Sequence, residues 1–528
     1  MFKRIYDKFQ TWLSNYRVAR IARAVFNQSA PDPKLSPVVF FNASARLGYL
    51  SQNAAFSLLS AWGLRLAGVP IIHFVCNRGM TRCVLGTDPN DPTKPPPCAA
   101  CVAQSKRLYA EADVHWFSYS PNASLESAIA NLDLSGLQLF NYEGLPLGEL
   151  VLPSLRWALR RHHLNDDEPT RFFYWQFILS AYNVAREFEK FLEDRRPQVV
   201  ILFNGIMYPE AVARQLLLKR GIRTITHEVG LLPFSAFFTD GEATAYPMNI
   251  PADFALSPSQ NKQLDEYLSR RFQGDFSMAG IHFWPKMQDL DKDFLDKAAG
   301  FKKIVPVFTN VIFDTSQVHA NLLFDDMFDW LDELLSLIRN NPDTLFVIRA
   351  HPDEHRPGTR KQSRESVAQW VQENDANQLP NIIFVDSTDY LSSYALIERA
   401  QFVMVYNSSI GLEASIMGKP VLCAGAARYT QYPTVFYPAS REDYLHQAEH
   451  FLKADSIDVP DQMVKEGRRV LYFQLFRTAL PFDRYLYPHS RMGYVHLRQF
   501  GVDELSRSKS PAIRAIFDGV ENSEPFLV

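Results

Sequence analysis

The stretch of sequence that decides the fold is Phe402-Val-Met-Val-Tyr-Asn407-Ser408-Ser409-Ile-Gly411-Leu-Glu413-Ala, because it joins a buried strand to the start of a helix. Its apolar half predicts the strand, and the hydroxyl residues Ser408 and Ser409 open the helix. Free backbone N–H groups at a helix start form a natural anion site. Glu413, one turn further along, is placed to accept hydrogen bonds from sugar hydroxyls. Together these features predict a protein that handles sugar nucleotides.

A second strand leads from apolar residues straight into a charged turn: Phe346-Val-Ile-Arg-Ala-His351-Pro352-Asp353-Glu354. Ligands of open α/β sheets bind at the carboxyl ends of the strands. There His351 can donate a hydrogen bond to a phosphate oxygen, and Arg349 adds charge if its side chain points into the cleft. Pro352 ends the strand and fixes the turn. A His-Pro turn without a ligand is the alternative, and the pairing with the serine loop favours phosphate binding.

Apolar strands alternate with helices twice along the chain. The first series has strands near 37–42, 69–75, 197–203 and 221–226, helices near 48–68 and 209–220, and a helix-rich middle from 147 to 193. The second has strands near 303–309, 346–351, 381–385, 402–406 and 419–424, and helices near 327–339, 363–374 and 390–400. This spacing indicates parallel sheets. We therefore expect an α/β protein with two doubly wound domains and a cleft between them.

The domain boundaries follow from this alternation and from length, since 528 residues exceed one ordinary core. The expected division is an N-terminal helix over 1–30, a first domain over 31–290, a second over 300–465, and a C-terminal helix and tail over 466–528 that packs across the domains.

The composition is that of a folded protein, with 47% hydrophobic and 21% charged residues. A net charge of −3 gives no electrostatic case for nucleic acid as the main partner. No apolar run is long enough to span a membrane, and the first residues lack the apolar region of a secretory signal. A cytoplasmic enzyme is the default expectation.

The first residues nevertheless have an unusual pattern, with aromatic and aliphatic side chains at helical spacing and six basic residues among and after them: Lys3, Arg4, Lys8, Arg17, Arg20 and Arg23. The apolar set is Phe2, Ile5, Phe9, Trp12, Leu13 and Tyr16. Such a basic amphipathic helix can lie on the anionic inner face of a membrane. The alternative is a helix that packs its aromatic stripe onto the body of the protein.

The run from Thr309-Asn310 through His351-Pro352 to Ser408-Ser409, Glu413 and Gly418-Lys-Pro-Val resembles the C-terminal half of GT-B glycosyltransferases. It looks closest to capsule and surface polysaccharide biosynthesis enzymes, including the Kdo-transferase and polysialyltransferase-like groups. Those families hold the phosphates of the donor nucleotide with a His-Pro motif and a later Ser-Ser motif. The resemblance implies that His351, Ser408 and Ser409 are phosphate ligands and that Glu413 contacts the ribose. Asn310, Arg349 and Asn407 complete the predicted donor-binding set.

The resemblance also implies the fold and the activity. The fold would be GT-B, two Rossmann-like doubly wound domains facing across a cleft, with N- and C-terminal helical extensions. The activity would be transfer of a sugar from a CMP-, UDP- or GDP-linked donor, with a lean towards CMP, to a glycan or lipid-linked glycan acceptor. No catalytic metal would be required. A sugar-nucleotide epimerase or hydrolase of similar fold and a non-catalytic scaffold of a polysaccharide assembly complex remain as alternatives.

The first domain is then expected to supply the base that takes the proton from an acceptor hydroxyl. Glu228 at a strand end is the predicted base, with His227 as its helper, and an ordinary loop carboxylate is the alternative. The competing carboxylates are Glu210, Asp240 and Glu242. Side chains expected on the acceptor side of the cleft are Asn42, Ser44, Arg46 and Asn204.

Four of the five cysteines lie within one short span, as Cys76, Cys83, Cys98 and Cys101. The last two form a Cys-x-x-Cys pair after a proline run, which is a spacing of metal-ligand type. Disulfides rarely persist in a reducing cytosol. A structural zinc ion is therefore predicted, with an iron–sulfur cluster or unligated thiols as alternatives. Cys423 is expected to be core packing.

Overall fold

The computed structural model describes residues 2–43, 48–274, 277–278, 281–282, 287–355 and 362–528. It contains a seven-stranded sheet and a five-stranded sheet, each covered by helices. Two predicted acceptor-side residues, Ser44 and Arg46, lie outside the described residues.

The first sheet is built on parallel strands that share one register. Its first six strands are β1 (Val38–Asn42), β2 (Ile71–Cys76), β3 (Asp113–Phe117), β4 (Val199–Phe203), β5 (Arg223–Val229) and β6 (Ser235–Thr239). They lie in the order β6-β5-β4-β1-β2-β3, and only β6 among them runs antiparallel to its neighbour. Since Phe41 pairs with Leu202 and Phe203 with His227, the carboxyl ends of β1, β4 and β5 meet at one edge.

The helices of this domain cover both faces of the sheet. They are α1 (Phe2–Gln28), α2 (Gln52–Leu66), α3 (Cys98–Leu108), α4 (Ala123–Ile129), α5 (Leu134–Gln138), α6 (Leu147–Leu159), α7 (Glu168–Arg195) and α8 (Tyr208–Lys219). The domains are joined through α9 (Pro258–Phe272), the short strands β7 (Ser277–Met278) and β8 (Ile281–His282), and α10 (Lys292–Ala298).

The second sheet is entirely parallel. Its strands are β9 (Lys303–Phe308), β10 (Thr344–Arg349), β11 (Ile382–Val385), β12 (Val403–Val405) and β13 (Val421–Cys423), in the order β11-β10-β9-β12-β13. Its helices are α11 (Gln317–Ala320), α12 (Met327–Arg339), α13 (Val367–Glu373), α14 (Ser393–Arg399), α15 (Ile410–Ile416) and α16 (Arg441–Lys453). The strand order reverses between β9 and β12, which makes their carboxyl ends the switch point where ligands of such sheets bind. The predicted pair of doubly wound domains, the arrangement implied by the GT-B resemblance, is confirmed.

Helix α12 shows how the sequence specifies these elements. Asp326 caps its start, since one carboxylate oxygen accepts from the backbone N–H groups of Phe328 at 2.7 Å and Asp329 at 3.2 Å. Its buried side chains recur at helical spacing against the sheet: Met327, Phe328, Trp330, Leu331, Leu334, Leu335, Leu337 and Ile338. Each large apolar side chain buried in this way contributes roughly 1.5–3 kcal/mol. The predicted bounds of 327–339 are confirmed.

The C-terminal segment returns to the first domain. It contains α17 (Asp461–Phe476), β14 (Leu480–Pro481), β15 (Leu486–Pro488), β16 (Val495–Leu497) and α18 (Pro511–Asn522). Strand β14 pairs antiparallel with β6 and so becomes the seventh strand of the first sheet. Helix α17 packs on α9 and α15, and α18 packs on α2. The last part of the chain therefore contributes to the cores of both domains.

Helix α1 packs through a face other than its aromatic one. The residues buried against the first domain are small or aliphatic, among them Ser14, Val18 and Ile21. Phe9 and Trp12 are 54% and 61% exposed, and they stack on each other with ring centroids 6.0 Å apart. The alternative in which the aromatic stripe packs onto the protein body is therefore wrong. Within the described residues, no helix combines the length and apolar character that a membrane crossing needs.

Candidate functional site

The switch point of the second sheet holds a cluster of amide side chains. Phe308 pairs with Arg349 on one side and Val405 on the other, so the residues that follow β9, β10 and β12 emerge at one edge. There the Asn310 amide donates to Oδ1 of Asn407 at 2.6 Å, and Nε2 of Gln317 donates to the same oxygen at 3.3 Å. In the described part of the chain, the NH₂ group of Asn407 has no protein acceptor. It is therefore available to donate to a ligand.

His351 follows β10 at the same edge and is half-buried. Its Nδ1 accepts a hydrogen bond of 3.1 Å from the backbone N–H of Asp353, in a short 3₁₀ helix over Pro352–Glu354. Because Nδ1 is the acceptor, a neutral imidazole carries its proton on Nε2. The His-Pro turn therefore fixes the tautomer whose Nε2–H can donate to a phosphate oxygen.

Arg349 does not contribute charge to this edge, contrary to the prediction. Its side chain is almost fully buried and turned towards β11 and α14. Nε donates to Oγ of Ser393 at 3.3 Å, and Nη1 donates to the backbone carbonyl of Asp389 at 3.1 Å. Burial lowers the pKa of Arg349 to about 10. Since side chains alternate along a strand, Arg349 supports a neighbouring loop while the residues beyond it reach the edge.

Ser408 and Ser409 begin α15, as the sequence predicts. Ser409 is exposed, and the carbonyl of Ser408 accepts a hydrogen bond of 2.7 Å from the Tyr429 hydroxyl. That tyrosine packs so closely that a Cβ on Gly411 would lie 2.4 Å from its oxygen. Helix α15 has only seven residues, so its dipole contributes less to anion binding than the sequence led us to expect. The serine hydroxyls and the Asn407 amide are the stronger donors at this position.

Glu413 has both carboxylate oxygens engaged inside the protein. Oε1 accepts from Nε of Arg271 at 3.0 Å, and Oε2 accepts from the Tyr394 hydroxyl at 2.5 Å. A buried ion pair thereby ties α9 to α15, and the tyrosine hydrogen bond ties α14 to α15. This is a structural contact that the sequence did not predict, and the ribose contact of Glu413 stays a prediction.

Glu228 and His227 lie at the carboxyl edge of the first sheet but on opposite faces of β5. The His227 ring is buried and stacks on Phe238 with centroids 5.1 Å apart. Glu228 accepts from the Asn204 amide at 3.4 Å and from the backbone N–H of Val229 at 2.8 Å. Successive residues of a strand point to opposite faces, so the two side chains leave β5 in opposite directions, and the helper role of His227 stays a prediction.

The environment of Tyr246 shows which way Glu228 faces. Burial raises the pKa of Tyr246 to about 12, Arg428 opposes this shift, and the charge of Glu228 adds to it. The Arg428 guanidinium lies 4.5 Å from the centre of the Tyr246 ring, and Gln431 donates to the Tyr246 carbonyl at 3.0 Å. Arg428 and Gln431 follow β13 in the second domain. Glu228 therefore lies on the side of the first domain that meets the second.

The competing carboxylates are less well placed to act as a base. Both oxygens of Asp240 pair with Arg223, at 2.7 and 3.1 Å. Glu210 is buried in a small cavity that His227 and Asn42 also line. Glu242 lies between Arg214 at 2.5 Å and His319 at 3.2 Å.

The acceptor-side candidates Asn42 and Asn204 both lie at the switch point of the first sheet, after β1 and β4. Nδ2 of Asn42 lies 3.1 Å from Nδ1 of His73, and its Oδ1 accepts a hydrogen bond of 3.1 Å from the Ser57 hydroxyl. These contacts fix the Asn42 side chain at the edge of the sheet. Oδ1 of Asn204 accepts the backbone N–H of Ile206 at 3.0 Å, which leaves its amide directed at Glu228.

The two edges meet through residues that the sequence did not single out. Oγ1 of Thr244 lies 2.9 Å from Nε2 of His319, which also contacts Glu242. His319 belongs to α11, the same short helix that supplies Gln317 to Asn407. The sequence signal that could have identified His319 and Gln317 is the position of 310–320, in the loop after the first strand of a Rossmann-like domain, where ligands bind.

The four clustered cysteines are free thiols in one region of the first domain. Burial raises the pKa of Cys76 to about 12, and the charges of Cys83, Cys101 and Cys98 add to this shift. Cys98 and Cys101 lie on the first turn of α3. Cys423 is buried in the second core, as predicted.

Comparison with known proteins connects this site to a family. Residues 278–433, which contain the His351 and Ser408–Ser409 motifs, match the family of capsule polysaccharide biosynthesis proteins. Protein FixF of Sinorhizobium fredii is 25% identical over 233 residues, 44% of this chain and 49% of FixF. The chain thus spans about half the length of the curated relative it matches. The predicted resemblance to capsule polysaccharide enzymes is confirmed for the second domain.

Solved structures with partial similarity include two from Thermosulfurimonas dismutans. The KpsC beta Kdo 2,4 transferase has a TM-score of 0.36 and 11% identity, covering 58% of this chain and 87% of that one. The KpsC beta Kdo 2,7 transferase has a TM-score of 0.32 and 15% identity, and the match covers 64% of this chain and 90% of that one. UDP-GlcNAc 2-epimerase from Neisseria meningitidis has a TM-score of 0.25 and 11% identity, and the match covers 83% of this chain and 98% of that one. Likenesses this distant carry no argument about the activity of this chain.

Proposed function

We propose that this protein is a GT-B glycosyltransferase that moves a sugar from a nucleotide-sugar donor to a glycan acceptor in capsule or surface polysaccharide assembly. One observation carries the proposal. The switch point of the second sheet joins Asn310, Gln317 and Asn407 in one hydrogen-bonded cluster, within a segment that matches capsule polysaccharide biosynthesis proteins.

The donor site would bind the phosphates mainly with neutral donors. These are Nε2–H of His351, the amide of Asn407 and the hydroxyl of Ser409. Arg428 would add a positive charge, since its guanidinium stacks on Tyr246 and has no carboxylate partner in the described part of the chain. Hydrogen bonds to a charged phosphate contribute about 1.5–3 kcal/mol each. Such donors stabilise the negative charge that develops on the departing nucleotide.

Glu228 would act as the base. As the acceptor oxygen bonds to the anomeric carbon, its proton passes to the Glu228 carboxylate. The bond between that carbon and the nucleotide phosphate breaks, and the phosphate leaves with the electron pair. The Asn204 amide, 3.4 Å from Glu228, would hold the carboxylate in position.

A transfer assay tests this function. Release of free nucleotide from CMP-, UDP- and GDP-linked sugars is measured with and without a glycan acceptor. We expect release from one donor class that depends on the acceptor, and a Glu228→Gln rate lower by about 10²–10⁴-fold. Asp240→Asn serves as a matched control, since it also exchanges a carboxylate for an amide and that carboxylate pairs with Arg223. Conversion of the donor sugar without any acceptor would instead identify an epimerase or hydrolase, and no turnover of any donor would favour a scaffold.

We also propose that α1 rests on an anionic membrane surface and brings the enzyme to a lipid-linked acceptor. Exposed Phe9, Trp12 and Tyr16 form a stacked aromatic row, and Lys8, Arg20 and Arg23 add positive charge to the same helix. Aromatic and basic residues on one helix are typical of interfacial binding. Each basic residue near such a surface contributes about 1 kcal/mol.

Co-sedimentation with vesicles tests this contact. Binding is expected with anionic phosphatidylglycerol and not with phosphatidylcholine, and Trp12→Ala should weaken it. Leu322→Ala is the matched control, since that side chain is 70% exposed on the second domain. Equal binding of the Trp12 variant would remove α1 from the contact.

A structural zinc ion held by Cys76, Cys83, Cys98 and Cys101 is our proposal for the cysteine region, with an iron–sulfur cluster as the rival. The support is the Cys-x-x-Cys pair on α3, together with the position of Cys76, whose thiol is influenced by the charges of Cys83, Cys101 and Cys98. Elemental analysis should find one zinc per chain, lost in Cys98→Ser and kept in Cys423→Ser. Iron together with acid-labile sulfide would support the rival, and absence of both would leave unligated thiols.

A further inference from the structure

Two consecutive histidines of the first domain approach an aspartate of the second domain, which directly precedes Met327, whose Sδ lies 3.0 Å from the backbone N–H of Asn310. His162 and His163 follow α6, and Asp326 is the N-cap of α12. Nε2 of His163 lies 2.9 Å from Oδ2 of Asp326, and Nε2 of His162 lies 4.0 Å from the same oxygen. These three atoms all lie within 4.8 Å of one another. The other oxygen of Asp326 caps α12, so Oδ2 is the one turned to the imidazoles.

Glu365 forms hydrogen bonds with both histidines and holds them in position. One of its carboxylate oxygens contacts Nδ1 of His163. The other accepts the backbone N–H groups of His162 at 2.7 Å and His163 at 3.1 Å. A carboxylate on Nδ1 fixes a neutral imidazole as the tautomer whose Nε2 lone pair is free. This is the arrangement by which proteins orient metal-binding histidines.

An ion pair accounts for His163 but not for His162. A protonated His163 would be satisfied by Asp326 and Glu365 alone. The His162 side chain is only 8% exposed, and in the described part of the chain its ring nitrogens make no hydrogen bond. A cation held between the three ligand atoms would engage both imidazoles and the Asp326 carboxylate at once.

We propose that His162, His163 and Asp326 bind a divalent transition-metal ion that bridges the two domains, with Glu365 as the supporting carboxylate. Metal–ligand bonds of about 2.0–2.2 Å place neighbouring ligand atoms roughly 3.3 Å apart. The distances from Oδ2 of Asp326 to Nε2 of His163, 2.9 Å, and to Nε2 of His162, 4.0 Å, lie on either side of that value. Two imidazoles and one carboxylate suit zinc and its neighbours in the series. His163 is 58% exposed, so water can complete the coordination.

A fixed positive charge also lies close to the histidines. Nε of Arg156 donates to the backbone carbonyl of His162 at 2.9 Å. The carboxylates of Asp326 and Glu365 outnumber that charge, so the group as a whole favours a cation. Because its ligands come from both domains, the metal would hold the domains in the arrangement that joins the two sheet edges. This inference is independent of the proposed glycosyl transfer.

Cobalt(II) titration of the full-length protein, dialysed against EDTA, tests the proposal by visible absorption. Wild-type protein should bind one Co²⁺ whose d–d bands lack a sulfur-to-cobalt charge-transfer band, which separates this site from the cysteines. His162→Gln should weaken that binding at least 100-fold, and Glu365→Gln should weaken it about 10–100-fold. His446→Gln, on an exposed face of α16, is the matched control and should bind Co²⁺ as wild type does.

His163→Arg separates a metal site from an ion pair. Arginine can still pair with Asp326 and Glu365, so this variant should fold with the melting temperature of the EDTA-dialysed wild type yet lose the cobalt bands. Undiminished cobalt binding by His162→Gln or His163→Arg would overturn the proposal. So would a wild-type spectrum that contains only sulfur-ligated cobalt, or no cobalt bands.

Discussion

Glu354, at the end of the His-Pro turn, makes the stability of the second domain depend on pH. Its side chain is almost fully buried, and burial raises its pKa from 4.5 to about 8. Both of its oxygens lie near the backbone N–H of Val367, at 3.2 and 3.3 Å. The folded protein therefore keeps a proton on Glu354 over a pH range where the unfolded chain has lost it.

The sign follows from linkage. Because the folded-state pKa lies above the unfolded value, stability is fully present below pH 4.5 and is lost as pH rises towards 8. One pKa unit corresponds to about 1.4 kcal/mol. Between pH 5.5 and 8 the wild type should thus lose roughly 3 kcal/mol relative to Glu354→Gln, which cannot ionise. For a domain of this size, 1 kcal/mol shifts the melting temperature by about 2–4 °C.

The assay is thermal unfolding of wild type and Glu354→Gln at half-unit steps from pH 5.5 to 8. The difference between the two melting temperatures should change by roughly 6–12 °C across that range, with the variant gaining as pH rises. Glu373→Gln, an exposed carboxylate on α13, controls for general charge effects. Parallel curves for wild type and Glu354→Gln would refute the reasoning.

Three further substitutions test the second domain. Glu413→Gln breaks the buried pair with Arg271 and should destabilise the domain by about 3 kcal/mol, measured by urea unfolding; a loss below about 0.5 kcal/mol would contradict the structural role. Gly411→Ala sets a methyl group against Tyr429 and should cost roughly 1–3 kcal/mol in the same assay, whereas an unchanged midpoint would show that the tyrosine moves aside freely. Arg428→Gln should weaken nucleotide binding about tenfold in calorimetry and, since it removes the contact with Tyr246, lower stability by about 0.5–1 kcal/mol; unchanged affinity would remove Arg428 from the donor site.

The sequence predicted the fold well because apolar strands and helices in a doubly wound domain have local signals. The bounds of α12 follow directly from its cap and its helical spacing. Strands β3 and β6 were missed. Strand β3 is short and half-exposed, with the sequence Asp113-Val-His-Trp-Phe117, and β6 pairs antiparallel outside the strand–helix alternation.

The site could be predicted only as far as backbone position determines it. His351 and Ser409 lie at the predicted edge because strand register carries them there. The direction of a side chain depends on tertiary contacts, and for this reason the sequence could not predict that Arg349 turns towards α14 or that the His227 ring is buried. The bond between Asn310 and Asn407 joins positions 97 residues apart, and no local pattern signals it.

Equilibrium nucleotide binding tests the central claim most directly. Melting temperatures are measured with CMP, UDP, GDP and TDP for wild type, His351→Ala and the control His446→Ala. One nucleotide at about a hundred times its dissociation constant should stabilise wild type and the control by roughly 2.7 kcal/mol. His351→Ala should lose most of that stabilisation at the same concentration. Failure of every nucleotide to stabilise the wild type, or equal stabilisation of His351→Ala, would contradict a donor site at the switch point of the second sheet.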